Sequence, residues 1–425
     1  MILSKISFND IKYNLLSLIN VIVSFIFIIL LGRKFGAGNE TDLYFISLTI
    51  ISYLSIIVKS LWTAIKQYYI EFKINDKLYA NQVYNIIFNN ILIASLIIIC
   101  LYYLITLNFG LLSYENQEFL NIFIFYILFQ NLLNFNKIIL SLEHHFASIY
   151  ISDLILSFGN LILIFFYLEE NILLLAYSTL FFSFLSLIYQ MYLIYFKINI
   201  NYEFVFFKKE LLNTIYKNSL KMNIGGLLYS FKDILIVTVL TTYGTGIYSL
   251  FSYANKFIGV ILLIVNAPIL NIFVTKITHI IAQSKYSLLS LNVNKILLKI
   301  TILYIVSVFI TYFILPYVLS ILFSGKFSIN DIEIIQYLFI LLSINYLAVS
   351  IEGPYLTVIN LFKMFNYVLI VNFSFFILIL IGYMLYNKFE FTYSEFFIVL
   401  IFVQFTNTLL YTYKYKSIER EYSGR

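Results

Sequence analysis

The most regular feature of the sequence is a series of long apolar runs separated by short polar segments. An α-helix rises 1.5 Å per residue, so about 20 apolar residues cross a bilayer. Windows of that length predict twelve membrane helices, at roughly 12–32, 43–65, 83–107, 118–140, 148–168, 172–196, 219–242, 247–274, 296–323, 331–351, 364–386 and 392–413. The runs are too continuous for a β-barrel, whose strands alternate apolar and polar residues over about ten positions. We therefore predict an all-α integral membrane protein.

Composition agrees with this prediction and narrows it. Hydrophobic residues make up 62% of the chain and charged residues 11%, whereas soluble domains carry about 25% charged residues. The single cysteine, Cys100, lies inside an apolar run, which excludes an internal disulfide and a cysteine metal cluster. The net charge of +6 is not gathered into a basic cluster interleaved with aromatic residues outside the membrane runs, so we predict no nucleic-acid partner.

The distribution of lysine and arginine predicts the orientation of the chain. Of the 27 basic residues, twenty lie on the side shared by both termini. The loops of the opposite side hold only Arg33, Lys34, Lys326 and Lys388. Cytoplasmic loops carry the excess of basic residues, so both termini are predicted to be cytoplasmic. The region after Met1 lacks a short apolar core followed by a small-residue cleavage site, so no removable signal peptide is expected.

The longest cytoplasmic connection divides the predicted spans into six and six. It carries Lys208, Lys209 and Lys217 among aromatic and aliphatic residues, which predicts an amphipathic segment on the inner leaflet. We predict an N-terminal six-helix bundle at 1–197, a linker at 198–220 and a C-terminal six-helix bundle at 221–425. Halves of equal orientation are expected to be related by a pseudo-two-fold axis along the membrane normal, with a cavity between them near the midplane.

Among the charged residues, Lys59, Lys232, Asp233 and Lys256 fall well inside predicted spans, away from their ends. A charge at the centre of a membrane helix costs about 2.5 to 3.5 kcal/mol on insertion scales, so such side chains are expected to face protein or a water-filled cavity. Lys59 has an alternative, because its side chain can extend to the headgroups. Lys232 and Asp233 are neighbours and point about 100° apart, so they need not pair with each other. Lys256 is a candidate contact for an anion.

The residues that could perform catalysis or bind a metal are sparse. The sequence contains no phosphate-binding GxxxxGK[ST] loop, which argues against a built-in ATPase. His144, His145 and His279 do not have metal-ligand spacing, and no Ser/His/Asp or paired-acid arrangement stands out. We predict no catalytic residues, no metal site and no cofactor, and therefore a transporter rather than an enzyme.

Two short polar hairpins occur at comparable places in the two halves. In the first, Gly36 and Gly38 are expected to allow a tight reversal with positive φ, and Thr41 or Asp42 to cap a helix that begins at Leu43. The second hairpin carries Gly244 and Gly246 between two long apolar runs. The repetition indicates two similar halves.

Both hairpins resemble the lipid II flippases of the MurJ (MviN) family. The family pattern Arg-x-Phe-Gly-Ala-Gly, two residues, then Thr-Asp-Ala-Phe-Phe is similar to Arg33-Lys34-Phe35-Gly36-Ala37-Gly38 followed by Thr41-Asp42-Leu43-Tyr44-Phe45. The family segment Gly-x-x-Ser-x-Leu-x-Tyr-Ala-Asp-Arg resembles the residues from Gly246 to Lys256, with Lys256 at the position of the arginine. Twelve spans, without two further C-terminal helices, resemble the Wzx-type O-antigen and capsule flippases of the same multidrug/oligosaccharidyl-lipid/polysaccharide (MOP) exporter superfamily.

The resemblance implies a flippase of a bacterial inner membrane that moves an undecaprenyl-pyrophosphate-linked saccharide, either lipid II or a surface-polysaccharide repeat unit, between leaflets. We hypothesise that Arg33, Lys59, Lys232 and Lys256 attract the pyrophosphate, and that Asp233 couples transport to a Na⁺ or H⁺ gradient. Anchoring of the outer loop is the alternative role for Arg33. Partners would be the lipid-linked sugar, the bilayer and polysaccharide assembly proteins.

Three alternatives stay open on the sequence. A cation-coupled drug exporter of the same superfamily would need an acidic cavity, whereas predicted embedded cations outnumber embedded acids. A membrane glycosyltransferase would need a long outer loop with catalytic acids, and the outer loops are short. A scaffold for envelope assembly that transports nothing is compatible with the same sequence.

Overall fold

The computed structural model describes residues 8–63, 69, 73, 77–109, 114–166, 171–205, 209–283, 285–323 and 326–423. These residues form α-helices joined by short connections, and no β-strand occurs among them. The helices of the first half are α1 (Phe8–Phe35), α2 (Asn39–Thr63), α3 (Lys77–Phe109), α4 (Tyr114–Phe123), α5 (Tyr126–Leu142), α6 (Phe146–Phe166) and α7 (Leu173–Leu193), which continues as a π-helical turn (Ile194–Ile198). Those of the second half are α8 (Lys209–Thr241), α9 (Ile247–Ala282), α10 (Leu289–Leu322), preceded by a 3₁₀ turn (Tyr286–Leu288), α11 (Ile329–Leu361), α12 (Phe365–Phe389) and α13 (Tyr393–Ser423).

Twelve helical stretches among the described residues are long and apolar enough to cross a membrane, which confirms the prediction of an all-α protein with twelve spans. The fourth span is formed by α4 and α5 together, separated by a turn at Ile124 and Phe125. Several helices are longer than predicted, and α11 continues ten residues beyond the predicted end at Ile351. A pseudo-two-fold relation between the halves remains a prediction.

The chain divides into two compact units that are not contiguous in sequence. Unit 1 comprises Met1–Gly36 and Leu43–Asn223, and unit 2 comprises Ala37–Asp42 and Ile224–Arg425. The first polar hairpin therefore contributes a short piece of chain to the unit otherwise built from the C-terminal half.

The region predicted as a linker, 198–220, contains two different local structures. Residues 199–205 have no regular secondary structure and are bonded to α3, because Asn85 and Asn89 donate hydrogen bonds of 2.9 and 3.3 Å to the backbone oxygens of Asn201 and Glu203. From Lys209 onward the chain is already helical in α8. Residues 206–208 and the side chains of 209–219 lie outside the described residues, so the amphipathic character of this region remains a prediction.

Unit 1 is held together by small polar residues between α6 and α7. The hydroxyls of Ser152 and Ser186 are 2.6 Å apart, and Gln190 Nε2 donates to Ser152 Oγ at 2.7 Å. Gly159 faces the ring of Phe182 so closely that a Cβ would lie 2.3 Å from it. Small residues that let backbones approach, together with interhelical hydrogen bonds, are typical of packing between membrane helices.

In unit 2, α11 packs against α9, α10 and α13. Its start is defined by a capping box in which Ser328 and Asp331 exchange hydrogen bonds with each other's backbone N–H. Near its other end a buried cluster of Phe273, Val293 and Tyr415 packs around Val358. The central position of α11 places its buried polar residues in the interior of the unit.

Candidate functional site

The first hairpin folds differently from the predicted cap. Helix α2 begins at Asn39 rather than at Leu43. Thr41 Oγ1 accepts from the N–H of Gly38 and lies 3.0 Å from the Gly38 carbonyl. The predicted cap was therefore wrong: Thr41 closes the turn before α2 through Gly38, and Asp42 does not cap α2.

Asp42 caps α9, a helix of the second half of the sequence. Its carboxylate accepts from the backbone N–H of Gly246 at 2.5 Å and of Ser249 at 2.6 Å, and from Ser249 Oγ at 2.6 Å. Gly246 is the N-cap position of α9 and has no side chain to perform this role. The free N–H groups at a helix start attract negative charge, so a carboxylate satisfies them well.

Three of the four glycines in the two hairpins adopt the left-handed backbone that favours glycine. The φ values are +67° for Gly36, +123° for Gly244 and +91° for Gly246. Gly38 does not have a positive φ, so that expectation was wrong; its N–H and carbonyl are instead engaged by Thr41. A Cβ at Gly246 would lie 2.6 Å from the carbonyl oxygen of Ala37, which means that only glycine allows the two hairpin segments to approach this closely.

A buried carboxylate, Glu352 of α11, is the centre of a polar network inside unit 2. Its Oε2 accepts from Gln404 Nε2 at 2.8 Å and from Asn407 Nδ2 at 3.0 Å. Gln404 and Asn407 are three residues apart on α13, which places them on one face of that helix. The Oδ1 atom of Asn407 is buried and has no hydrogen-bond partner among the described residues.

The network continues to the predicted basic residue on α8. Tyr229 donates its hydroxyl to Gln404 Oε1 at 3.0 Å. Lys232 Nζ lies 3.8 Å from the centroid of the Tyr229 ring and 5.7 Å from that of Phe375. These are distances at which a cation is attracted to an aromatic face. The charge of Lys232 also acts on Glu352, so lysine, ring, amide and carboxylate form one connected arrangement.

The predicted charged site residues are distributed over both units. Lys232 belongs to the network just described, and its charge acts on the neighbouring Asp233. Lys256 lies on α9 with a side chain that is accessible yet largely surrounded by protein, and it takes no part in the described contacts of the network. Arg33 and Lys59 are exposed residues of unit 1.

Sequence reasoning did not single out Glu352. With it, two acids of unit 2, Glu352 and Asp233, both feel the charge of Lys232. That arrangement offers carboxylate and amide oxygens to a proton or a cation, and an ammonium group to an anion. Groups of three or more His, Cys, Asp or Glu side chains that could hold a metal do not occur among the described residues.

Comparison with solved structures identifies the fold. One similar structure is lipid II flippase MurJ in an inward closed conformation, with a TM-score of 0.77 and 16% identity over 96% of this chain and 87% of that chain. Another is the inward-facing conformation of a multidrug resistance MATE family transporter of the MOP superfamily, with a TM-score of 0.76 and 14% identity over 96% and 95% of the two chains. A MOP superfamily transporter from Pyrococcus furiosus gives a TM-score of 0.66 at 14% identity, over 95% and 96%.

No protein-family model matches the sequence, and no curated protein matches it. The structural matches cover nearly the whole of both chains in each pair, so the similarity concerns the complete fold rather than one helical hairpin. The chain has the fold of MOP superfamily transporters.

Proposed function

We propose that this protein is a flippase that moves an undecaprenyl-pyrophosphate-linked saccharide from the cytoplasmic to the outer leaflet of a bacterial inner membrane, with both termini in the cytoplasm. The observation that carries the proposal is the joining of the two hairpin motifs. The two segments that resemble the flippase family hydrogen-bond to each other through Thr41, Asp42 and Ser249, within a fold shared with a lipid II flippase.

In this proposal the basic residues bind the pyrophosphate. Lys232 has the best-defined surroundings, since its ammonium group rests on two aromatic rings inside a bundle. An interior of low dielectric strengthens its attraction for a phosphate compared with water. Lys256, Lys59 and Arg33 add positive charge at other points of the route, and no covalent bond of the substrate changes.

Asp233 and Glu352 are the proposed coupling residues. A proton or a Na⁺ ion on these carboxylates reduces the negative charge beside Lys232, and its release restores that charge. The orphaned Oδ1 of Asn407 is an additional oxygen for a small cation next to Glu352. A gradient of such an ion would therefore determine in which step of the transport cycle Lys232 binds an anionic substrate.

A second candidate is a cation-coupled exporter of small molecules. The specific observation in its favour is Glu352, because two acids beside one lysine leave an excess negative charge when all three are ionised. A MATE transporter shares the fold at a TM-score of 0.76. In this case the substrate would be a cation and would compete with the coupling ion for Glu352 and Asp233.

Reconstitution in liposomes tests the proposal. Fluorescent lipid II and a lipid-linked oligosaccharide without peptide are incorporated separately, and protection from a quencher added outside reports flipping. The comparison is between wild type, Lys232→Gln and a matched control, Lys388→Gln, which alters an exposed lysine at the end of α12. We expect flipping of at least one lipid, lost in Lys232→Gln and retained in Lys388→Gln. Absence of flipping of both lipids, with uptake of a fluorescent organic cation by the same liposomes, would favour the exporter.

A further inference from the structure

An apolar groove lies on unit 2, where α10 and α11 pack together. The groove there encloses ≈ 370 Å³ and is lined by aromatic and branched side chains, including Tyr304, Phe309, Phe313 and Ile344. Phe309 and Phe313 are 64% and 56% exposed, so the groove is open along one side. Of the most apolar stretch of α10 only 11% is buried, which means that most of this helix faces the surroundings of the unit.

The polar groups at the floor of the groove are already engaged. Tyr304 donates its hydroxyl to the carbonyl of Ser343 at 3.0 Å, and Ser343 Oγ donates to the carbonyl of Phe339 at 2.6 Å. Pro316 has no N–H to offer the Tyr312 carbonyl one turn earlier, and Gln336 Nε2 lies 3.4 Å from that oxygen in its place. The floor is therefore apolar in character and suited to a hydrocarbon.

The depth of the groove follows from the position of Lys299. Lys299 is the last charged residue before the uncharged, mostly apolar run from Ile300 to Leu322. At 1.5 Å per residue, the groove residues Tyr304 to Phe313 lie about 7 to 21 Å beyond Lys299 along the helix. One leaflet contributes about 15 Å of hydrocarbon. The groove thus begins among the lipid tails of the leaflet on the Lys299 side and extends to the bilayer midplane.

The charge at the entrance complements an anion. Lys295 and Lys299 are exposed, and α10 contains no acidic residue. Lys295 precedes Phe309, and Lys299 precedes Phe313, by close to four helical turns each. Both lysines therefore lie on the same face of α10 as the open wall of the groove, and neither forms an ion pair among the described residues.

We propose that this groove holds one acyl chain of an anionic phospholipid from the leaflet on the Lys299 side, with the lipid phosphate bound by Lys295 and Lys299. The bound chain supplies packing to a membrane helix that buries little of itself against protein. The proposal concerns a resident lipid and does not depend on which molecule the protein transports.

Photo-crosslinking in nanodiscs tests the proposal on the full-length protein. The probe is phosphatidylglycerol with a diazirine in the middle of one acyl chain, compared with phosphatidylcholine carrying the same chain. Labelled residues are mapped by mass spectrometry. Ile344→Trp fills the groove from its exposed side, and Ile377→Trp makes the same change on an exposed position of α12. The double variant Lys295→Gln/Lys299→Gln is matched by Lys276→Gln/Lys285→Gln, which removes two exposed lysines elsewhere.

In wild type we expect several-fold more label in residues 304–313 and 340–347 than in the exposed residues of α12. Ile344→Trp should lose this enrichment, and Ile377→Trp should retain it. A lysine near a membrane surface strengthens attraction to anionic lipid by about fivefold, so removing both should cut the preference for phosphatidylglycerol by up to about thirtyfold.

Equal labelling of α10 and α12 in wild type would overturn the proposal, and so would a head-group preference unchanged in the lysine variant. Displacement of the probe by a polyprenyl phosphate but not by unlabelled phosphatidylglycerol would assign the groove to a different lipid and overturn it as well. The wild-type arm does not depend on whether a variant folds.

Discussion

Asp42 and Ser249 are joined by two hydrogen bonds of 2.6 Å although 207 residues separate them in the sequence. The same carboxylate oxygen accepts from the backbone N–H and from the hydroxyl of Ser249. Both bonds are buried, and hydrogen bonds to an ionised carboxylate are stronger than those between neutral groups. The start of α9 is therefore stabilised by a residue that belongs to the first hairpin.

Removal of this cap should destabilise the protein measurably. We expect Asp42→Ala to lower the free energy of unfolding by about 2 kcal/mol, because buried N–H groups of Gly246 and Ser249 lose their acceptor. Denaturation of the purified protein in mixed micelles measures the change. A double-mutant cycle with Ser249→Ala should give a non-zero coupling energy.

Asp331→Ala provides the control for that cycle, because Asp331 caps α11 through its own neighbour Ser328. It should lower stability without coupling to Ser249. Strict additivity of Asp42→Ala and Ser249→Ala would contradict the direct contact between them.

Alanine substitutions at three glycines should rank in a defined order. Gly246→Ala combines a φ of +91° with a Cβ 2.6 Å from a backbone oxygen, whereas Gly244→Ala has the unfavourable φ but open space around it. Gly259 lies inside α9 with nothing within 4 Å of a Cβ, and alanine is favoured over glycine in a helix by about 0.5 to 1 kcal/mol. The midpoint of thermal unfolding should be lowest for Gly246→Ala, intermediate for Gly244→Ala, and equal to or above that of wild type for Gly259→Ala. Equal midpoints for Gly246→Ala and Gly244→Ala would contradict the close approach of the two hairpins.

Charge and hydrogen bonding at Glu352 can be separated by two substitutions. Glu352→Gln keeps an oxygen that accepts from Gln404 and Asn407, so we expect little loss of stability. Glu352→Ala leaves two buried amide donors without a partner, and each unsatisfied donor costs about 1 to 3 kcal/mol. Both effects are measured as free energies of unfolding.

The same two variants test coupling when ion-driven transport is followed in liposomes. We expect Glu352→Gln to lose the dependence on the Na⁺ or H⁺ gradient while remaining folded. Glu395→Gln serves as control, since Glu395 is an exposed partner of Thr392 at the start of α13. Gradient dependence that persists in Glu352→Gln would remove this residue from the coupling proposal.

The ring of Tyr229 and its hydroxyl have different partners, which predicts different effects of two substitutions. Tyr229→Phe keeps the ring beneath Lys232 and loses only the hydrogen bond to Gln404. Tyr229→Leu also loses the cation–π contact, worth about 0.5 to 2 kcal/mol. The leucine variant should therefore be less stable by about 1 kcal/mol, and equal stabilities would show that the ring contributes nothing to holding Lys232.

Periodicity and hydropathy were sufficient to predict the membrane spans, because a helix that crosses a lipid bilayer needs a long apolar run regardless of which helices it packs against. The same reasoning located Lys232 and Asp233, since a charge inside such a run is conspicuous. It missed Glu352, because the following Gly353 and Pro354 are typical of a helix end and the predicted span stopped at Ile351. In the structure α11 continues through both residues to Leu361.

The sequence pattern could not predict contacts between segments that are distant in the sequence. The two hairpins were recognised as similar, but nothing in their spacing indicated that Asp42 would cap α9 rather than α2. A local cap and a distant cap use the same side chain, and only tertiary packing decides between them. For the same reason the sequence pattern could not assign Gln404 and Asn407, two amides on another helix, to the carboxylate of Glu352.

The passage of Ala37–Asp42 into unit 2 has a consequence for biogenesis. These residues leave the ribosome and enter the membrane well before α9 has been translated. During that part of synthesis the carboxylate of Asp42 cannot accept hydrogen bonds from Gly246 and Ser249, because neither residue has yet been made. Final docking of the first hairpin is thus a late event, after insertion of the helices around it. A fragment starting at Ile224 would contain every other residue of its unit yet begin α9 without a cap, so separately expressed halves should require each other to mature.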